Sequence, residues 1–139
     1  MALAEYVATL DVSGRRVLEL GAGLGLPSLA AALRGADVLA TDWAEDAVAL
    51  LAANAARNHV PLRAEVLRWD EPERFGGGWD LVLAADVLYE QRNVEQLLAL
   101  LPRLGGEILL AEPGRPFAKE FFGRWGAVDE IGERLYRMR

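Results

Sequence analysis

Three glycines alternate at positions 21, 23 and 25, between the apolar run Arg16–Leu20 and a helix-like segment that opens at Leu26. Glycine is entropically costly inside regular structure. Three at one junction therefore imply a main chain that something must approach closely. An acid, Asp42, closes the next apolar run. A bare turn after one strand and a carboxylate after the following one suit a nucleoside-type ligand. A second constellation, Asp86 with Tyr89, follows the apolar run 80–85. A carboxylate and a phenol there would face the same crevice as the glycine turn. Two plainer roles remain open: Asp86 as the N-cap of the next helix, and Tyr89 as a packed aromatic with a satisfied hydroxyl. Trp69 stands in a polar loop, where a large aromatic invites a partner.

The elements that must carry these residues follow from the patterning. Helical spacing runs over 2–10, 26–35, 44–58, 91–104 and 116–125. Pro27 fits a first helical turn and Gly35 a stop. Short, nearly continuous apolar runs at 16–20, 36–42, 61–67, 80–86 and 105–113 read as strands buried on both faces. Residues 127–131 and 133–138 form a closing antiparallel pair. Strand and helix alternate, so the fold class is α/β: a Rossmann-like, doubly wound, mostly parallel seven-stranded sheet with a closing antiparallel strand. In such sheets ligands bind at the carboxyl ends of the strands, where the strand order reverses. Both constellations fall on that edge. Trp79 and Trp125 are assigned to packing, and His59 to the C-terminal end of the 44–58 helix.

Residues 1–139 read as one domain, long enough for one core. No apolar run approaches the roughly 20 residues of a membrane span, and the N-terminus lacks the basic start of a signal peptide. Cysteine is absent and histidine occurs once, so neither a disulfide framework nor a metal centre is expected. These features predict a cytoplasmic protein with no membrane attachment. The net charge of −6 is spread along the chain with no basic stripe, so no nucleic-acid partner is expected.

The glycine spacing separates two ligand classes. A dinucleotide turn is G-x-G-x-x-G; here the third glycine comes one residue early and Leu26 takes its place. That disfavours a nicotinamide-dependent oxidoreductase. "ELGAGLG", with Glu19 two residues before Gly21, resembles motif I of the class I, seven-strand S-adenosylmethionine (SAM)-dependent methyltransferases. "DLVLAADVLYE" and "LRWDEP" are similar to the methyltransferase-like branch that holds protein-lysine and nicotinamide N-methyltransferases.

The resemblance implies SAM as cofactor. It implies that Glu19, Gly21, Gly23, Gly25, Asp42, Trp43, Trp69 and Asp86 bind it, with Asp42 on the ribose hydroxyls and the two tryptophans near the adenine. Asp86 and Tyr89 would be the catalytic pair, holding the acceptor. The implied activity is an N-methyltransferase acting on a protein lysine. The alternatives are a small nicotinamide-like amine as acceptor, or a non-catalytic SAM-binding module in a complex. The resembling lysine methyltransferases carry a further N-terminal segment over the cofactor, whereas this chain opens at Met-Ala-Leu. A homodimer or a partner protein is therefore expected to complete the lid.

Overall fold

Apolar runs with one side chain up and the next down need cover on both faces, and the chain supplies a helix after four of its seven strands. The structure, a computed structural model, describes residues 2–139. A short helix α1 (Ala2–Val7) leads into β1 (Arg16–Leu20), α2 (Leu26–Leu33), β2 (Asp37–Asp42), α3 (Glu45–Arg57) and β3 (Arg63–Val66). After a 3₁₀ turn at Pro72–Phe75 come β4 (Leu81–Ala85), α4 (Gln91–Leu100), β5 (Glu107–Ala111), α5 (Ala118–Trp125), β6 (Val128–Gly132) and β7 (Leu135–Met138).

The seven strands form one sheet in the order β3-β2-β1-β4-β5-β7-β6. The pairings from β3 to β5 are parallel, and β7 runs antiparallel to both its neighbours. Only β7 is therefore reversed. The loop before it is two residues long, too short for a crossover, and Arg134 in that loop takes a left-handed φ of 55°. The chain winds outward from β1 to β3 and then jumps back to place β4 on the other side of β1. That jump is the switch point, and the carboxyl ends of β1 and β4 open one crevice.

Register decides which side chains meet which helices. Val17 pairs with Leu81 and Leu18 with Val82. Leu18, Leu20, Val82, Ile108 and Leu110 pack with Leu97 and Leu100 of α4 and Phe121 of α5. Val17, Leu81, Leu83 and Leu109 face the opposite way, onto Leu3 and Val7 of α1 and Ala31 and Ala32 of α2. Alanines on α2 let that helix lie close to the strands, which brings its N-terminus down beside the glycine turn. Trp79 is buried and donates Nε1–H to Phe75 O at 3.0 Å, and Trp125 stacks on Phe121. Both are packing residues, as expected.

Differences from the sequence reading are small. Residues 68–79 contain the 3₁₀ turn where only loop was expected. The helix expected over 44–58 ends at Arg57, and His59 adopts φ 56° just past it. A residue in left-handed geometry after the last turn closes a helix through its backbone, so His59 caps the helix by conformation. No helix among the described residues is long and apolar enough to cross a membrane.

Leu97 touches the sheet from the middle of α4 and is almost wholly buried. Leu97→Ala should cost about 3 kcal/mol through lost transfer energy and the residual cavity. Urea denaturation should show a lower midpoint at an unchanged slope.

Candidate functional site

The edge where β1 and β4 end is built around a buried acid. Glu19 occupies a strand position that the alternation would make apolar, and only 1% of it is exposed. A buried charge needs partners. Its Oε1 accepts the Ser28 N–H at 3.1 Å and the Ser28 hydroxyl at 2.6 Å. The carboxyl thereby ties the first turn of α2 to the end of β1, with the glycine turn spanning the gap. Burial pushes the Glu19 carboxyl up to about 8, against the Ser28 hydrogen bonds, and the Asp42 charge adds to the rise.

Within that span Gly21, Gly23 and Gly25 all take left-handed φ, at 60°, 53° and 73°. Each serves a different need. A Cβ on Gly25 would lie 2.2 Å from Leu51 Cδ1, so this glycine lets α3 close on the turn. A Cβ on Gly21 would lie 3.2 Å from Val87 Cγ1 and 3.5 Å from Trp69 Cζ2, so the tryptophan lies beside the main chain there. A Cβ on Gly23 would meet nothing within 4 Å. Packing therefore explains Gly25 and Gly21, while Gly23 borders open space.

Asp42 closes the β1–β2 side of the edge. Its Oδ2 accepts the Gly23 N–H at 3.0 Å and its Oδ1 the Ala44 N–H at 3.0 Å. One carboxylate thus locks the turns after β1 and β2 together. A carboxylate has about four lone-pair sites, so each oxygen keeps room for a ligand hydroxyl. Next to it Trp43 is 67% exposed, an unusual state for a tryptophan. A cavity of about 450 Å³ opens between Trp43 and Trp69 on one side and Tyr89, Asn93 and Gln96 on the other. Two ion pairs, Arg68 with Asp70 and Arg92 with Glu90, stand on its rim.

On the β4 side the structure separates the two expected acceptor residues. Tyr89 lines the cavity with its side chain partly in solvent. Asp86 does not line it. Its Oδ1 and Oδ2 accept Nε–H and Nη2–H of Arg115 at 2.9 and 2.8 Å. The Arg115 guanidinium holds the Asp86 carboxyl below the usual carboxylate range. Asp86 is not the N-cap of α4: Glu90 is, and the Glu90 N–H donates to Asn93 Oδ1 at 2.9 Å.

The sequence reading therefore placed Glu19, the glycines, Asp42, Trp43, Trp69, Asp86 and Tyr89 on one edge, and the structure brings them there in three groups. Glu19 and Gly25 brace the turn from behind. Trp43 and Trp69 line the cavity with Tyr89, Gly21 lies against Trp69, and Gly23 and Asp42 adjoin this wall through Trp43. Asp86 lies beside it, occupied by Arg115. Ser28, Arg115 and Glu112 were missed. A small hydroxyl residue nine positions after a buried acid, and the "EPGR" turn after β5, were the available signals.

A family model described as "Lysine methyltransferase" matches residues 1–122. Protein N-lysine methyltransferase METTL21A of Danio rerio is 40% identical over 106 residues, which cover 68% of this chain and 46% of that protein. EEF1A lysine methyltransferase 3 of Mus musculus is 36% identical over 112 residues, 76% of this chain and 48% of that one. The chain thus spans about half the length of these curated relatives. Among solved structures, magnesium protoporphyrin IX methyltransferase of Synechocystis PCC 6803 with bound SAM superposes with a TM-score of 0.78 at 20% identity, over 99% of this chain and 76% of that one. Ribosomal protein L11 methylase of Lactobacillus delbrueckii subsp. bulgaricus gives 0.70 at 21% identity, over 98% and 74%. At that identity the likeness establishes the fold.

Glu19 makes a prediction independent of any ligand. An ordinary glutamate ionises near 4.5, and this one near 8 in the fold. The folded protein holds the proton more tightly, so the stabilisation is complete below about 4.5 and is lost as pH rises toward about 8. Glu19→Gln keeps an oxygen for Ser28 and removes the titration. The variant should gain on the parent steadily from pH 5 to pH 8, by a total on the order of 3 kcal/mol. Denaturation midpoints at three pH values measure the trend, and a flat difference would show that Glu19 ionises as an exposed acid does.

Proposed function

The chain belongs to the lysine methyltransferase family, and from that premise we propose that residues 1–139 form one SAM-dependent N-methyltransferase domain whose acceptor is a lysine side chain of a protein. The observation that carries the reading is the Asp42 carboxylate bonded across to the Gly23 N–H, beside a crevice walled by tryptophans. The residues present fit the cofactor. SAM has an amino-acid end, a ribose and an adenine and no phosphate. The open face at Gly23 gives room for main-chain contact, Asp42 has acceptor capacity for ribose hydroxyls, and Trp43 and Trp69 offer flat apolar surface for a base.

When bound, the sulfonium supplies an electrophilic methyl carbon and takes the electron pair of the breaking carbon–sulfur bond. The protein's share is alignment and a dry site. The turn 21–25 and Asp42 fix the donor on one side of the switch point. Tyr89 forms a wall on the other side, its ring available to a cationic amine. Asp86 is an acceptor-orienting carboxylate at the same strand ends. The acceptor nitrogen must be neutral to attack, and a free lysine amine has a pKa near 10.4, so the amine gives its proton to solvent before transfer. The named relatives act on protein lysines, and the acidity of the chain favours a basic partner surface. A second copy or a partner protein, and a cytoplasmic setting, belong to the same proposal.

Two measurements test it. Labelled SAM incubated with the protein and a cell lysate should yield ε-N-methyl-lysine in hydrolysed protein; label found only in small molecules would move the acceptor to a free amine. In calorimetry, Asp42→Ala should weaken SAM binding at least tenfold, the loss of hydrogen bonds to a charged group, and NAD should not bind. Gly23→Ala should weaken SAM binding comparably while costing only about 1 kcal/mol of stability.

A further inference from the structure

Asp86 poses a problem for a lysine acceptor. A bare carboxylate next to an amine favours the ammonium, which has no lone pair for attack. Yet the left-handed Asp86, at φ 52° with its N–H tied to Ala111 O at 2.9 Å, is held in a fixed direction at the carboxyl end of β4. An acid in that sparsely used conformation invites a functional explanation.

The turn after β5 offers one. Glu112 is buried at 2% exposure, and its Oε1 accepts the N–H groups of Gly114 and Arg115. Its Oε2 has no hydrogen-bond partner among the described residues. This acid curls residues 112–115 into a tight turn and sets the backbone from which Arg115 reaches Asp86. The guanidinium meets the carboxylate with two parallel bonds, the geometry that makes an exposed pair specific. Most exposed ion pairs contribute little; this one is mounted at both ends on constrained backbone.

We propose that Arg115 is a positioning residue for methyl transfer: it neutralises Asp86 so that the carboxylate can orient the acceptor amine without stabilising it as an ammonium. The inference rests on the reading of the Asp86–Tyr89 edge as the acceptor side. A bidentate guanidinium uses two of about four lone-pair sites on the carboxylate, leaving acceptor capacity for an amine N–H. The pair carries no net charge, so its field on a nearby amine is small. Arg115 is the charge acting on Asp86. Glu112 acts on Arg115 from behind, and Glu90 at the start of α4 is matched by Arg92 at 2.7 Å.

The test compares the parent, Arg115→Gln and Arg115→Lys. Labelled SAM is supplied with a pool of synthetic peptides, each holding one lysine at saturating concentration so that the rate reports the bound amine, and ε-N-methyl-lysine is counted from pH 6.5 to 10.5. Unmasking Asp86 should raise the amine's apparent pKa by about one unit. The Gln variant should therefore be about tenfold slower at pH 7.5, with the gap narrowing to about fivefold at pH 10.5, and the Lys variant should recover most of the loss. A loss of equal size at every pH, as a purely structural role would give, overturns the proposal. A second readout needs no turnover: the ¹³C carboxyl resonance of Asp86 is followed while n-butylamine is added. The parent should respond at pH 11, where the neutral amine dominates, and not at pH 8; the Gln variant should respond at pH 8. A parent response at pH 8, or at neither pH, overturns the inference. A parent that binds SAM but labels no lysine at any pH overturns the acceptor reading instead, and the butylamine titration still decides the role of Arg115.

Discussion

The edge of this sheet depends on one buried carboxylate. Glu19 sits inside the packed layer between β1 and α2, where a side chain of its charge is costly unless satisfied. Ser28 satisfies it twice from the first turn of α2. The helix start is thereby fixed relative to the strand end, and the five residues between them have few paths to follow. Three left-handed glycines make one such path sterically possible. Asp42 then bonds Gly23 from the next strand, so the turn is fixed from behind and from the side. A ligand-facing main chain held this way needs little ordering when it binds, which is the physical meaning of preorganisation.

The two sides of the crevice are built from different material. On the β1–β2 side the structure uses buried backbone, glycines and a locked acid, and little there is free to move. On the β4–β5 side it uses exposed groups: Tyr89, Asp86, Arg115 and the pairs on the rim. Their positions come from constrained backbone beneath, the left-handed Asp86 and the Glu112-bound turn. Under the proposed reading these would be a fixed donor side and an adaptable acceptor side, a division that one fold can reuse for many acceptors, since changing the second need not disturb the first.

That division also explains what the sequence made legible. Strand and helix positions were readable because the central strands β1, β2, β4 and β5 are nearly continuous apolar runs and helix starts and stops are marked by residues such as Pro27 and Gly35. The glycine turn and its tie to Asp42 were readable because glycines and an acid at strand ends have few other uses. The Asp86–Arg115 pair was not readable, because it joins residues 29 apart through the parallel register of β4 and β5, which sets Ala85 beside Ala111. Nor could spacing show that Gly25 makes room for Leu51 while Gly23 faces open space. The three look alike in sequence and differ only in what packs against them.

Charge on this molecule acts at two ranges with opposite demands. At long range the acidic chain draws basic surfaces, and its field falls off over the Debye length of about 8 Å in physiological salt. At contact, the same sign of charge would keep a lysine protonated and unreactive. A site that must attract a cation and then use it as a neutral nucleophile needs the attraction to fade on arrival. Pairing the carboxylate at the acceptor with a guanidinium would do this locally, while the acidic groups elsewhere on the chain keep their long-range field. A lysine acceptor, as proposed, would thus meet at the carboxyl ends of β4 and β5 an acid whose charge is already cancelled.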